Sequence, residues 1–218
     1  MNQNGLKAKG IFLDLDGTIV DSTEAYIEAA RIAFQAVGQK PPHKKLTLEI
    51  PRRIEQGLPF SDIINGDKKR FLQVYLDAYY SITETKTKLL PNVSAALETL
   101  SGKAKLALIT MRHVPNQTIQ KELDYLGVSR YFAHIVTALD TSKPKPAPEA
   151  LIRCMKALDL EISDCIIAGD SVNDVRAGKA AGARTVAVLS GLFDRQELAN
   201  EQPDLILPDV TALPHFIK

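Results

Sequence analysis

Five consecutive residues carry the first chemical signal: Asp14, Leu15, Asp16, Gly17 and Thr18. Two carboxylates with one residue between them on an extended chain point to opposite faces, so they serve one site only if the chain turns at once. Gly17 permits that turn. In this arrangement Asp14 is a candidate nucleophile and Asp16 a candidate general acid/base, with Gly17 and Thr18 beside them to receive substrate. The plainer reading makes them two turn acids capping a following helix. Thr110 closes a later apolar run; its hydroxyl and the backbone N–H of Met111 suit a phosphate oxygen, although a threonine at a strand end is also a common cap for the next turn. The segment Lys143-Pro144-Lys145-Pro146-Ala147-Pro148 is stiff, because proline fixes φ and keeps the residue before it extended. A lysine so held meets an anion at little entropic cost; alone, the segment reads equally as a solvated linker. Asp170 and Asp174 share a helix face if a helix starts between them. They offer oxygen donors of the kind magnesium takes, or, more plainly, a helix cap from Asp170 or Asn173.

Short apolar runs position all four signals. Gly10 to Leu13 leads directly into Asp14, and similar runs lie at 104–110, 133–139, 165–169, 185–189 and, weakly, 204–207. Uniformly apolar rather than alternating, they predict parallel strands covered on both faces. Helical patterns separate them: 92–100 behind Pro91, 116–126 ending at Gly127, 148–158 opening on Pro and Glu, and 173–181 ending at Gly182. Strand alternating with helix predicts an α/β fold, a three-layer doubly wound parallel sheet. Ligands bind such sheets at the C-terminal strand ends, where each acid, hydroxyl and lysine falls.

The stretch 21–88 breaks the alternation. Asp21 followed by Glu24 resembles a capping box, and Ala25, Ala29, Ile32, Ala33 and Ala36 keep helical spacing. Further helices are predicted at 45–55 and 67–80, with no strand. We expect a helical cap domain, 21–88, inserted into an α/β core formed by 1–20 and 89–218.

Composition narrows the partners. The 218 residues are 45% hydrophobic and 24% charged, with 27 Lys and Arg against 26 Asp and Glu and a net charge of +1. That balance gives no basic surplus to draw the chain to nucleic acid or an anionic membrane. No apolar stretch suits a signal peptide or a membrane span, which predicts a cytoplasmic protein. Cys154 and Cys165 lack zinc-ligand spacing, and Cys165 reads as a small buried hydrophobe. His43, His113, His134 and His215 read as incidental.

Over essentially its whole length the sequence resembles the haloacid dehalogenase (HAD) superfamily, in its phosphoglycolate-phosphatase-like branch. The run Asp14 to Thr18 matches the first family motif, Thr110 the second, and Asp170 with Asp174 the fourth. The third motif's lysine falls on Lys145 or Lys143; the shorter spacing to Asp170 favours Lys145. The resemblance implies a phosphatase acting on a small phosphorylated metabolite through an aspartyl-phosphate on Asp14. It also implies Mg2+ held by Asp14, the Asp16 backbone carbonyl and Asp170, with Asp174 in support, in a monomer or homodimer. Many relatives have Asn after the second-motif hydroxyl, where this chain has Met111 and then Arg112. Arg112 either contacts substrate or faces solvent, and solvent is the expectation. In the cap, Arg52 and Arg53 either receive a substrate anion or are solvated.

Other readings share parts of the pattern. A phosphosugar mutase has the same four motifs, and an inorganic pyrophosphatase activity fits the same chemistry. The superfamily's dehalogenases typically lack an acid at the position of Asp16. A receiver domain would carry neither Asp-Leu-Asp-Gly-Thr nor the insertion, and a dead binding protein would need a damaged motif.

Overall fold

The computed structural model describes residues 5–218, apart from the side chains of 84–86. It divides into two compact units, Met1–Val20 with Leu89–Lys218, and Asp21–Lys88.

In the first unit β1 (Gly10–Leu13) is buried along its whole length. The chain then turns and forms β2 (Val20–Asp21), which pairs with β3 (Lys88–Leu89) as a two-stranded sheet. Between β2 and β3 lie the three helices of the second unit, α1 (Thr23–Ala36), α2 (Lys44–Glu55) and α3 (Lys68–Lys86). The first unit resumes with α4 (Val93–Ser101), β4 (Lys105–Ile109), α5 (Asn116–Tyr125), β5 (Phe132–Val136) and α6 (Glu149–Ala157). It ends with β6 (Cys165–Gly169), α7 (Val172–Ala181), β7 (Arg184–Val188), α8 (Arg195–Asn200) and β8 (Leu205–Leu207).

Six strands make one sheet in the order β5-β4-β1-β6-β7-β8, every pairing parallel. The expected doubly wound α/β class is borne out. The central strands β1 and β6 are buried and apolar throughout because helices cover them. Phe12, Ala107, Ile167, Leu151 and Cys154 form one shared buried cluster, and Val172, Val175, Ala187, Phe193 and Leu198 form another. With β1 central, Gly10–Leu13 pairs with Lys105–Leu108 on one side and Cys165–Ala168 on the other. That register brings the ends of β1, β4 and β6 level, and the three chemical loops leave from them.

The Asp21–Lys88 unit has its own core. Ala25, Ala29, Ala30 and Ala33 give α1 a face of small residues, against which α3 sets Phe71, Tyr75 and Tyr79. Phe34 meets Phe71 edge-on with centroids 4.9 Å apart, and Tyr26 stacks on Tyr79 at 5.0 Å. Two expectations need correction here. Ser22, not Asp21, is the cap residue of α1, and the Asp21 carboxylate instead accepts from the Thr23 amide at 2.9 Å, so there is no capping box. The third helix also runs past Tyr80, to Lys86, and beyond the aromatic stripe Ile82 still packs against the unit's core.

Candidate active site

Asp14 leaves β1 with its amide bonded to the Ala168 carbonyl at 3.0 Å, which ties the loop to β6. The amides of Ile19 and Val20 then both donate to Leu15 O, closing a tight turn through Gly17. Gly17 has φ +76°, and a Cβ there would stand 2.6 Å from Asp170 Oδ2, so this position needs glycine for conformation and space alike. Gly191 has a spatial need of its own: a Cβ there would overlap the Asp170 carboxylate. Neighbouring Ser190 donates its hydroxyl to Gly17 O at 2.6 Å, fastening the 190–191 loop to the turn. Nothing in the local sequence around Ser190 signals this.

The four chemical segments converge in the first unit. The Lys145 ammonium donates to Asp14 Oδ1 at 2.5 Å and to Asp174 Oδ1 at 2.6 Å, and all three residues are buried. Asp170 is buried beside them, its Oδ1 accepting from the fully buried Thr18 hydroxyl at 3.1 Å. Thr110, also buried, follows β4 with its amide on Val136 O at 3.0 Å. Met111 is half-buried, and Lys143 is exposed. Asp174 makes two contacts that the sequence did not signal: Oδ2 accepts from the Ser171 amide in a capping box at the start of α7, while Oδ1 meets Lys145. The cap residue is Ser171, not Asp170 or Asn173.

One carboxylate oxygen from each of Asp14, Asp170 and Asp174 lies within 4.8 Å of the other two. Burial is the largest influence on Asp14 and pushes its carboxyl well above the usual range; Lys145 opposes this, and the charges of Asp174 and Asp16 add to it. Burial alone would lower Lys145, but Asp14 and Asp174 more than reverse that, holding the ammonium above the ordinary lysine value. Three buried carboxylates around one ammonium leave surplus negative charge. The donors are all oxygen, so the cluster fits a hard divalent cation.

Arg112 contradicts the expectation that it faces solvent. It is buried, with Nε donating to Asp16 Oδ2 at 2.8 Å, Nη2 to Asp16 Oδ1 at 2.6 Å and Nη1 to Glu122 Oε2 at 2.5 Å. Two carboxylates offset its desolvation, and neither is a sequence neighbour. The Asp16 side chain therefore faces Arg112 and stays outside the three-carboxylate cluster. Sequence reading missed Glu122, a buried acid on an otherwise polar-looking helix; its spacing with the apolar Ile119 and Leu123 was the available signal. Arg52 and Arg53 are half-buried rather than freely solvated. Arg52 pairs with Glu49 at 2.7 Å and Arg53 with Asp62 at 2.5 Å, all within the Asp21–Lys88 unit. Among the described residues, no helix is long and apolar enough to cross a membrane.

A family model described as haloacid dehalogenase-like hydrolase matches residues 11–188. Phosphoglycolate phosphatase of Pseudomonas fluorescens Pf0-1 is 28% identical over 212 residues, covering 93% of this chain and 77% of that protein. The phosphoglycolate phosphatase of Escherichia coli K12 is 28% identical over 230 residues, covering 94% and 90%. A haloacid dehalogenase-like family hydrolase from Streptococcus pneumoniae superposes with TM-score 0.79 at 24% identity, covering 96% of this chain and 98% of its own.

Proposed function

The chain belongs to the haloacid dehalogenase-like hydrolases, and from that premise we propose that it is a magnesium-dependent phosphatase of a small phosphorylated metabolite, working through an aspartyl-phosphate on Asp14. The observation that carries this reading is the buried Lys145 ammonium shared by Asp14 and Asp174, with Asp170 alongside. A lysine that organises a carboxylate nucleophile also meets the oxygens of an incoming phosphoryl group.

Asp14 attacks phosphorus as the bond to the leaving oxygen breaks, and Asp16 gives that oxygen its proton. Asp16 then takes a proton from the water that attacks the aspartyl-phosphate, releasing phosphate and restoring Asp14. Thr110, the Met111 amide and Lys145 hold the phosphoryl oxygens through both steps. Asp14, Asp170 and the Asp16 backbone carbonyl would hold Mg2+, with Asp174 in support, and a cation bound there supplies positive charge against two approaching anions. The 28% identical relatives are phosphoglycolate phosphatases, which favours a small phosphorylated acid as substrate.

The test is phosphate release from p-nitrophenyl phosphate and from a panel of phosphorylated metabolites, with magnesium and with EDTA. Turnover that needs magnesium is the expected result. Turnover unchanged by EDTA, or none on any phosphate ester, defeats the reading.

A further inference from the structure

The proposed mechanism leaves one buried cation without a task. Arg112 meets both oxygens of Asp16 and one of Glu122. The side chains of Arg112 and Glu122 are 3% and 2% exposed, while Asp16 keeps 15%. The Arg112 backbone is fixed as well: its amide donates to Thr110 Oγ1 at 3.2 Å and its carbonyl accepts from the Ala138 amide at 3.1 Å. A planar guanidinium gripping two carboxylate oxygens sets the plane of that carboxylate, which a point charge does not do. Such a buried pair is costly to desolvate, and apolar residues of similar size would pack there more cheaply. The arrangement makes sense through what it holds at its more exposed end.

We propose that Arg112 is a positioning residue for Asp16, anchored from behind by Glu122. This rests on the phosphatase reading. Each carboxylate oxygen carries two lone-pair sites, and the guanidinium takes one on each. A guanidinium bond on each oxygen does not by itself exhaust the group's capacity to exchange a proton. Held in this plane, Asp16 passes its proton to the ester oxygen as the P–O bond breaks, and later accepts one from the attacking water. Because Arg112 acts through Asp16 and does not touch the phosphoryl group, its removal weakens proton transfer and spares phosphate binding.

Leaving-group dependence separates this from a purely structural role. An alkyl alcohol needs a proton as it departs, whereas p-nitrophenolate leaves without one. Asp16→Ala sets the benchmark pattern. In Arg112→Lys, whose ammonium cannot span two oxygens, kcat/KM for an alkyl phosphate is expected to fall about 30-fold, less than the roughly 10²–10⁴-fold of a lost general acid because Asp16 itself remains, and that for p-nitrophenyl phosphate by less than about 3-fold. KM for the alkyl phosphate should stay near the wild-type value. Arg112→Met combined with Glu122→Leu removes both charges of the fully buried pair, leaves only the more exposed Asp16 without its cation, and should show the same selectivity even if Arg112→Lys folds poorly. Equal losses on the two esters, or no loss, in a folded variant overturn the inference while wild-type turnover upholds the phosphatase reading. A wild-type protein that hydrolyses neither ester overturns both.

Discussion

No charged side chain among the described residues of the Asp21–Lys88 unit is buried, whereas the other unit buries Asp14, Arg112, Glu122, Lys145, Asp170 and Asp174. The inserted unit fills its interior with alanine and aromatic rings and keeps its ion pairs half-buried or at the surface, as in Arg31–Glu28 and Arg53–Asp62. Its interior is what hydrophobic burial alone would produce. Ions are expensive to bury, and the first unit does so only at the ends of β1, β4 and β6, in α7, and in the adjoining loops and α5. The difference is one of buried charge: one unit turns its ions outward, and the other gathers them where its strands end.

Four changes test that contrast, from the largest effect to the smallest. Asp14→Asn should lower kcat about 10⁴-fold or more, the scale of a lost nucleophile, measured by phosphate release from freshly purified protein. Full turnover in that variant would exclude Asp14 as nucleophile. Lys145→Met leaves buried carboxylates without their cation, so urea unfolding should show a loss of about 3 kcal/mol. A loss near zero would mean that the cluster tolerates its own charge. Magnesium should stabilise the wild-type protein by about 2.7 kcal/mol at a hundredfold excess over its dissociation constant, seen as a rise in Tm that EDTA reverses. Asp170→Asn should erase that rise, and a variant that keeps it places the ion elsewhere. Arg53→Ala in the inserted unit should cost no more than about 1 kcal/mol by the same urea measurement, since Asp62 is largely exposed. A cost matching that of Lys145→Met would remove the contrast between the units.

Much of the sheet was legible because its strands are short apolar runs bounded by breakers. The run 165–169 coincides with β6, and those at 104–110 and 185–189 match β4 and β7 to within a residue at most ends. The run at 133–139 was drawn too long, since its last residues form a 3-10 turn instead of strand. Helix α8 escaped notice: six residues are too few for periodicity to register, although Asp194 and Glu197 do form its capping box.

The sequence by itself determined that an acidic turn, a hydroxyl, a lysine and a second acidic pair come after apolar strands, because strand ends and turns are written in local composition. Only the tertiary structure decided which lysine turns inward. Lys143 and Lys145 each precede a proline and obey the same local rules, yet only Lys145 meets Asp14, 131 residues away in the chain. The fate of Arg112 was likewise beyond local reading. Its partner Asp16 lies 96 residues off, and a guanidinium can be buried only where distant carboxylates happen to converge.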